Sequence, residues 1–154
     1  RLRFGRNGLF NHTGHTIEVG FIAGADLMIP RQVLDSVGPF DPDFFMYYEE
    51  TELCRRIAKA TYRIVSVPKA KIIHLEGKSF VNSADRERRA LISRRIYFHK
   101  TCSQRYARIV DFNYQVLTKA TWLLYRIVGN KAKTEKFRQR KKLFDEINRV
   151  GPKS

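Results

Sequence analysis

The hydrophobic patterning of the chain changes near residue 80. Before that point, short runs of alternating apolar residues predict β-strands interspersed with short helices. After Ser79 the strand signals stop, and apolar residues recur with helical spacing. The charge divides at the same place, since residues 1–80 carry 11 basic and 9 acidic side chains whereas residues 81–154 carry 19 and 6. We therefore expect an α/β unit over residues 1–80 and a basic helical extension over residues 81–154.

The composition is that of a globular protein. Of the 154 residues, 43% are hydrophobic and 29% are charged, which excludes a disordered, collagen-like or disulfide-rich class. The two cysteines, Cys54 and Cys102, fit a reducing compartment, so we expect a cytoplasmic location. The sequence opens with Arg1 and shows no signal-peptide pattern, and we expect it to be a piece of a longer protein.

The first unit contains four strand signals and two helix signals. Alternation over residues 16–23 predicts a strand, and residues 25–29 predict either a second strand or the continuation of one bent strand. A short helix is expected between Pro30 and Gly38, followed by a turn-rich loop and a helix over residues 48–60. The remaining strands are expected at residues 62–67 and 71–75.

The basic extension is expected to contain three helices. They cover residues 83–101, with Ser83 or Asp85 as the cap, and then residues 112–128 and 131–149.

An acidic cluster stands at the junction between the turn-rich loop and the helix over residues 48–60. Glu49, Glu50 and Glu52 crowd like charges there, which raises the pKa of at least one carboxyl group, as a general base or a metal site requires. The alternative is that these acids only complement the positive end of the helix dipole.

His74 lies near the end of the last predicted strand, just before a glycine-bearing turn. A neutral imidazole there could bind a divalent cation such as Mn²⁺ beside a phosphate, with carboxylate ligands supplied from elsewhere. The alternative is a structural histidine.

Five ordered segments carry a resemblance to a known family. They read GADLMIPR (24–31), VGPFDPDFF (37–45), YEETELCRR (48–56), VPKA (67–70) and HLEGKS (74–79). Together they resemble the second half of the family 2 inverting glycosyltransferases, especially the rhamnosyltransferase-like group. The resemblance implies the acceptor-side half of a GT-A, Rossmann-like domain over residues 1–80. The family's donor half, with its metal-binding Asp-x-Asp motif, has no counterpart before Val19, and we interpret Asp41-Pro42-Asp43 as a turn.

The resemblance also assigns roles to residues. Glu50 matches the family's general base, Glu49 the acid before it, and His74 a histidine that completes the metal site. Glu50 and Glu52 stand where the family commonly has Asp, which moves each carboxylate one methylene further out, and Thr61 stands where it usually has Gly. The implied substrate-binding positions are Gly24, Ala25, Asp26, Arg56, Lys78 and Ser79.

The implied reaction transfers a sugar from a nucleoside-diphosphate sugar to a hydroxyl group, with Mg²⁺ or Mn²⁺ as cofactor. The implied acceptor is a lipid-linked saccharide in cell-surface polysaccharide synthesis. Without a donor half, we expect this piece to be inactive alone.

The basic extension predicts a membrane-surface role. Residues 112–128 are too short for a spanning helix, which needs about 20 mainly apolar residues, and include Lys119 and Arg126. An apolar face flanked by basic helices is typical of a helix that lies on an anionic bilayer, here the inner face of the cytoplasmic membrane. The alternatives are packing on the α/β unit, or a non-catalytic basic module for anionic membrane or nucleic acid. The sequence has no helix-turn-helix, zinc-ligand spacing or RNP-like motif, so we do not expect nucleic acid as a partner.

Overall fold

The computed structural model describes residue 11, residues 13–72 and residues 83–150. The chain divides into two compact units, residues 1–83 and 84–154. The secondary structure elements of the first unit are β1 (Ile17–Glu18), α1 (Arg31–Val37), α2 (Glu49–Lys59) and β2 (Val65–Ser66). Those of the second are α3 (Ser83–Thr101), α4 (Gln104–Ile127) and α5 (Lys131–Val150).

Helix α2 carries the core of the first unit. Its sequence places Leu53, Cys54 and Ile57 on one side at helical spacing, and all three are buried together with Ile64, which precedes β2. The apolar side of α1 packs against this cluster through Val33, Leu34 and Val37. Both helices confirm the sequence prediction, because local periodicity and end signals agree there.

The strands are shorter than predicted. β1 and β2 pair antiparallel with Ile17 opposite Ser66, and the backbone N–H of Val19 donates to Ile64 O at 3.0 Å. The expected strand over residues 25–29 is wrong, since Gly24–Asp26 forms a 3-10 turn closed by a 3.1 Å hydrogen bond from Asp26 N–H to Ala23 O. A strand needs a hydrogen-bonded neighbour, and within the described residues β1 and β2 have only each other. Residues 71 and 72 are not in a strand, and residues 73–75 lie outside the described part.

Helix α2 ends in a Schellman motif built on a threonine. Tyr62 N–H donates to Ile57 O at 3.2 Å and Thr61 N–H donates to Ala58 O at 3.0 Å. Thr61 has a φ of 68°, a left-handed conformation that glycine adopts without steric cost. The helix therefore stops at the expected place even though the residue there has a branched side chain.

Residues 38–43 form the expected loop. Gly38 caps α1 with a φ of 82°, and its N–H donates to Leu34 O at 2.7 Å. Asp43 N–H donates to Asp41 Oδ1 at 3.1 Å, which is an Asx turn. The interpretation of Asp41-Pro42-Asp43 as a turn is confirmed.

The second unit consists of helices. Helix α3 ends at Thr101 and α5 begins at Lys131, both as predicted. Helix α4 begins at Gln104 rather than at the predicted Phe112. The Ser103 hydroxyl caps it by accepting a 3.3 Å hydrogen bond from Tyr106 N–H. Helices α4 and α5 pack on each other, with the rings of Tyr114 and Phe144 4.9 Å apart. No helix in the described ranges is both long and apolar enough to cross a bilayer.

Candidate active site

The backbone immediately before α2 is unusual. Tyr47 and Tyr48 both have left-handed φ values, 68° and 67°, and Tyr48 is the N-cap residue of the helix. Positive φ is rare for non-glycine residues and clusters at functional sites, where the surrounding structure holds it in place. The sequence does not predict these left-handed φ values, because two tyrosines carry no local signal for that conformation.

The structure brings together two of the residues predicted for the site. Gly24 lies so close to the start of α2 that a Cβ at Gly24 would be 3.7 Å from the Cβ of Glu50. Ala25 and Asp26 follow in the same 3-10 turn and are exposed. Glu50 is half-buried, and its Oε1 accepts a 3.2 Å hydrogen bond from the Thr51 hydroxyl. The predicted catalytic carboxylate and the predicted glycine loop therefore form one surface.

Glu49 has a perturbed carboxyl group. Burial raises its pKa above the ordinary value, the charge of Glu50 raises it further, and its own backbone N–H lowers it. Its Oε2 is buried and has no hydrogen-bond partner among the described residues. The predicted rise in a carboxyl pKa within the acidic cluster is confirmed, but burial contributes more to it than the neighbouring charge.

Cys54 lies on the inner side of the same helix. It is fully buried, and burial raises the pKa of its thiol, with the charge of Glu50 adding to the rise and a backbone hydrogen bond at Ile22 opposing it. The thiol therefore stays protonated, and Cys54 supplies packing behind the acidic cluster.

Arg56 has a structural role that its sequence position did not show. Its Nε donates to both carboxylate oxygens of Glu52, at 2.9 and 2.8 Å. Its Nη1 donates to the carbonyl oxygens of Val37 and Gly38, the latter at 3.2 Å, and its Nη2 donates to Pro39 O at 2.7 Å. The guanidinium thus ties α2 to the end of α1. Substrate contact by Arg56 stays a prediction, and the geometry makes it a positioning residue.

An apolar depression of about 330 Å³ has Gly24 in its lining. A Cβ at Gly24 would lie 3.7 Å from the Glu50 Cβ, so Glu50 is near this lining without being part of it. The other lining residues are Leu27, Ile29, Leu34, Pro39, Phe40 and Leu53. A carboxylate beside an apolar depression can receive a proton from a hydroxyl group held there.

The predicted metal ligand and two predicted substrate contacts are not tested by the structure. His74, Lys78 and Ser79 lie outside the described residues. Within the described part, no group of three or more His, Cys, Asp or Glu side chains is arranged to hold a metal ion. A metal site with His74 therefore stays a prediction.

Comparison with known proteins identifies partial relatives. Two proteins named N-acetylglucosaminyl-diphospho-decaprenol L-rhamnosyltransferase, from two strains of Mycobacterium tuberculosis, are each 38% identical to this chain over 61 residues. That stretch is 40% of this chain and 20% of each relative, so the chain matches about a fifth of the relatives' length. No protein-family model and no solved structure matches. The similarity supports a relationship to glycosyltransferases.

Proposed function

We propose that the chain is the acceptor-side part of an inverting, family 2 glycosyltransferase of the rhamnosyltransferase-like group, with residues 1–80 belonging to a GT-A domain. The observation that carries the proposal is the closeness of Gly24 to Glu50, since Gly24 lines the apolar depression and a Cβ there would lie 3.7 Å from the Glu50 Cβ. The partial identity to two rhamnosyltransferases supports the same class of reaction.

In this proposal Glu50 is the general base. An acceptor hydroxyl within hydrogen-bond distance of its carboxylate gives up its proton as the hydroxyl oxygen attacks the anomeric carbon of the donor sugar. The bond from that carbon to the nucleoside diphosphate breaks, and the diphosphate leaves with the bonding electrons. Glu49, whose charged form burial disfavours, lies beside Glu50 and is suited to hold a sugar hydroxyl.

The test is Glu50→Gln in the complete protein, with release of nucleoside diphosphate as the assay. We expect turnover to fall on the order of 10²–10⁴-fold, the usual contribution of a general base. Glu18→Gln is a matched control, because Glu18 is exposed on β1 and pairs with Arg63 at 3.1 Å, away from the acidic cluster. An unchanged rate for Glu50→Gln would remove Glu50 from the mechanism.

We also propose Mg²⁺ or Mn²⁺ as cofactor, with His74 as one ligand. Such an ion would counter the negative charge that develops on the leaving diphosphate. The proposed donor is a nucleoside-diphosphate sugar, and the proposed acceptor is a lipid-linked saccharide for cell-surface polysaccharide. The name of the mycobacterial relatives, N-acetylglucosaminyl-diphospho-decaprenol L-rhamnosyltransferase, contains such a lipid-linked compound.

The second unit is proposed to hold the protein on the anionic inner face of the cytoplasmic membrane. Helix α4 exposes a row of large apolar residues among its basic ones, while Thr118 is buried and Asp111 is mostly buried. Leu117 is 65% exposed and Ile127 is 75% exposed. The other large apolar residues exposed along α4 and its end are Tyr106, Ile109, Phe112, Val116, Leu123, Leu124 and Val128. Exposed apolar residues that recur at helical spacing, with basic residues around them, fit an anionic bilayer surface.

Sedimentation with anionic vesicles tests this membrane contact. We expect Leu117→Glu to weaken vesicle binding at least about tenfold, because a charge in the apolar face must be taken out of water. Met28→Glu is the control, since Met28 is 93% exposed but belongs to the first unit. Equal binding by the two variants would contradict the proposed membrane face.

A further inference from the structure

A buried cluster of charged side chains joins α3 to α4 in the second unit. His99 Nε2 lies 2.9 Å from Asp111 Oδ2, and Arg95 Nε lies 3.5 Å from the same oxygen. Arg94 Nη1 lies 4.0 Å from Asp111 Oδ1. The four side chains are only 13–15% exposed. One carboxylate therefore faces two guanidinium groups and an imidazole, so positive charge is in excess.

Several polar atoms of this cluster lack hydrogen-bond partners, although they lie at ion-pair distance from one another. Arg94 Nη1, Arg95 Nε and Asp111 Oδ1 are buried and have no hydrogen-bond partner among the described residues. Buried polar atoms in folded proteins are hydrogen-bonded in the great majority of cases. Two of the three atoms are arginine N–H donors that reach Asp111 only at ion-pair distance, so the cluster has donor capacity that the described side chains do not use.

The cluster opens into a cavity of about 460 Å³. Its lining includes Arg95, His99 and Asp111, and further along α4 it includes Arg108 and Gln115, with Asn148 contributed by α5. The Arg108 guanidinium makes no hydrogen bond or ion pair with the described part of the chain. The cavity thus combines two arginines with neutral donors, against a single carboxylate.

Asp111 positions the basic groups. Its Oδ2 holds His99, whose other ring nitrogen lies 3.3 Å from Gln104 Oε1, so the imidazole is fixed at both ends. Arg95 is fixed in turn by a 2.7 Å hydrogen bond from its Nη1 to Ile147 O. Arg95 therefore keeps its orientation without a ligand, which lowers the entropy cost of binding one.

We infer that this cavity is a binding site for a phosphate group. Guanidinium groups present a planar set of N–H donors that matches phosphate oxygens, and amide donors such as Gln115 and Asn148 complete such a shell. The phosphate belongs either to a soluble phosphate compound or to a lipid headgroup. Phe112 favours a lipid headgroup, because it lines the cavity and is also one of the exposed apolar residues of α4.

Calorimetric titration of the full chain with pyrophosphate, at fixed ionic strength, tests the inference. We expect Arg108→Gln to weaken binding at least about tenfold, as the loss of a hydrogen bond to a charged group does, and Arg108→Lys to weaken it less. Arg105→Gln is the matched control, because this substitution removes the same charge from the same helix. Arg105 is exposed and does not line the cavity. Arg108 is exposed too, so neither change should alter the fold.

Vesicles separate the two sources of phosphate. Bilayers that contain phosphatidic acid are compared with phosphatidylglycerol bilayers of equal surface charge. A preference for phosphatidic acid that Arg108→Gln abolishes and Arg105→Gln keeps assigns the site to a lipid phosphate. Pyrophosphate binding without that preference assigns it to a soluble phosphate. The inference is overturned if Arg105→Gln and Arg108→Gln weaken binding equally. It is also overturned if both variants bind pyrophosphate and phosphatidic acid bilayers as the unmodified chain does.

Discussion

Replacement of Arg56 by methionine tests whether the site is held in place by an ion pair. Methionine keeps an aliphatic stem but removes the guanidinium. The change leaves the Glu52 carboxylate, which is 9% exposed, without its partner, and the carbonyl oxygens of residues 37–39 without their donors. We expect both the end of α1 and the start of the loop after it to separate from α2.

The magnitude follows from the burial of the pair. Removal of one partner of a buried ion pair costs about 3–5 kcal/mol, because the remaining charge stays buried. The Arg56 side chain is 27% exposed, which places the expected loss near the lower end, about 3 kcal/mol. Arg31→Met is the matched control, since Arg31 on α1 forms the same i,i+4 type of pair with Asp35 but is 85% exposed. Exposed helix pairs contribute only about 0.3–0.5 kcal/mol.

Hydrogen exchange of α2 peptides in the full chain measures this effect locally. Arg56→Met should increase exchange across α2 far more than Arg31→Met does. Trp122 is the only tryptophan of the chain and lies in α4, so its fluorescence in urea reports the second unit and should change little. Equal exchange in the two variants would show that the Arg56 contacts stabilise α2 no more than an exposed surface pair does, which would contradict the prediction.

Two further predictions concern the backbone and the acidic cluster. Thr61→Gly should stabilise the protein by about 1 kcal/mol in urea unfolding, because Thr61 has a φ of 68°, which glycine adopts without steric cost. Gly129→Ala should destabilise it by a similar amount, because Gly129 has a φ of 74°, and a Cβ there would meet no atom within 4 Å, so only the backbone conformation is tested. A loss of stability in Thr61→Gly would contradict this prediction. Glu49→Gln should raise the free energy of unfolding at pH 7, because it removes a charge that burial disfavours, while lowering activity. The folded pKa of Glu49 lies above its ordinary value of 4.5, so its contribution to stability falls as the pH rises past that value, and thermal unfolding of Glu49→Gln should lack that decline.

Local sequence determined most helix ends of this protein, although the start of α4 at Gln104 was not predicted. The ends of α1 and α2 and the boundary residues Thr101 and Lys131 follow from apolar spacing and end signals that act within one or two turns. The acidic cluster and its raised carboxyl pKa were also predicted, because neighbouring charges in sequence are neighbours in space at a helix start. The resemblance to glycosyltransferases came from ordered motifs, and the partial relatives support it at that level.

Tertiary structure decided how far each strand extends and what each charged group contacts. Strand length depends on a pairing partner, so the alternation over residues 16–23 yields only Ile17–Glu18 opposite Val65–Ser66. Burial, which is the larger cause of the raised pKa of Glu49, arises only when the chain packs around α2. The partners of Arg56 in residues 37–39 and those of Asp111 in α3 are distant along the chain. Their charges are visible in the sequence, but whether an arginine binds a substrate, a carbonyl group or a phosphate depends on which groups folding brings within hydrogen-bond distance.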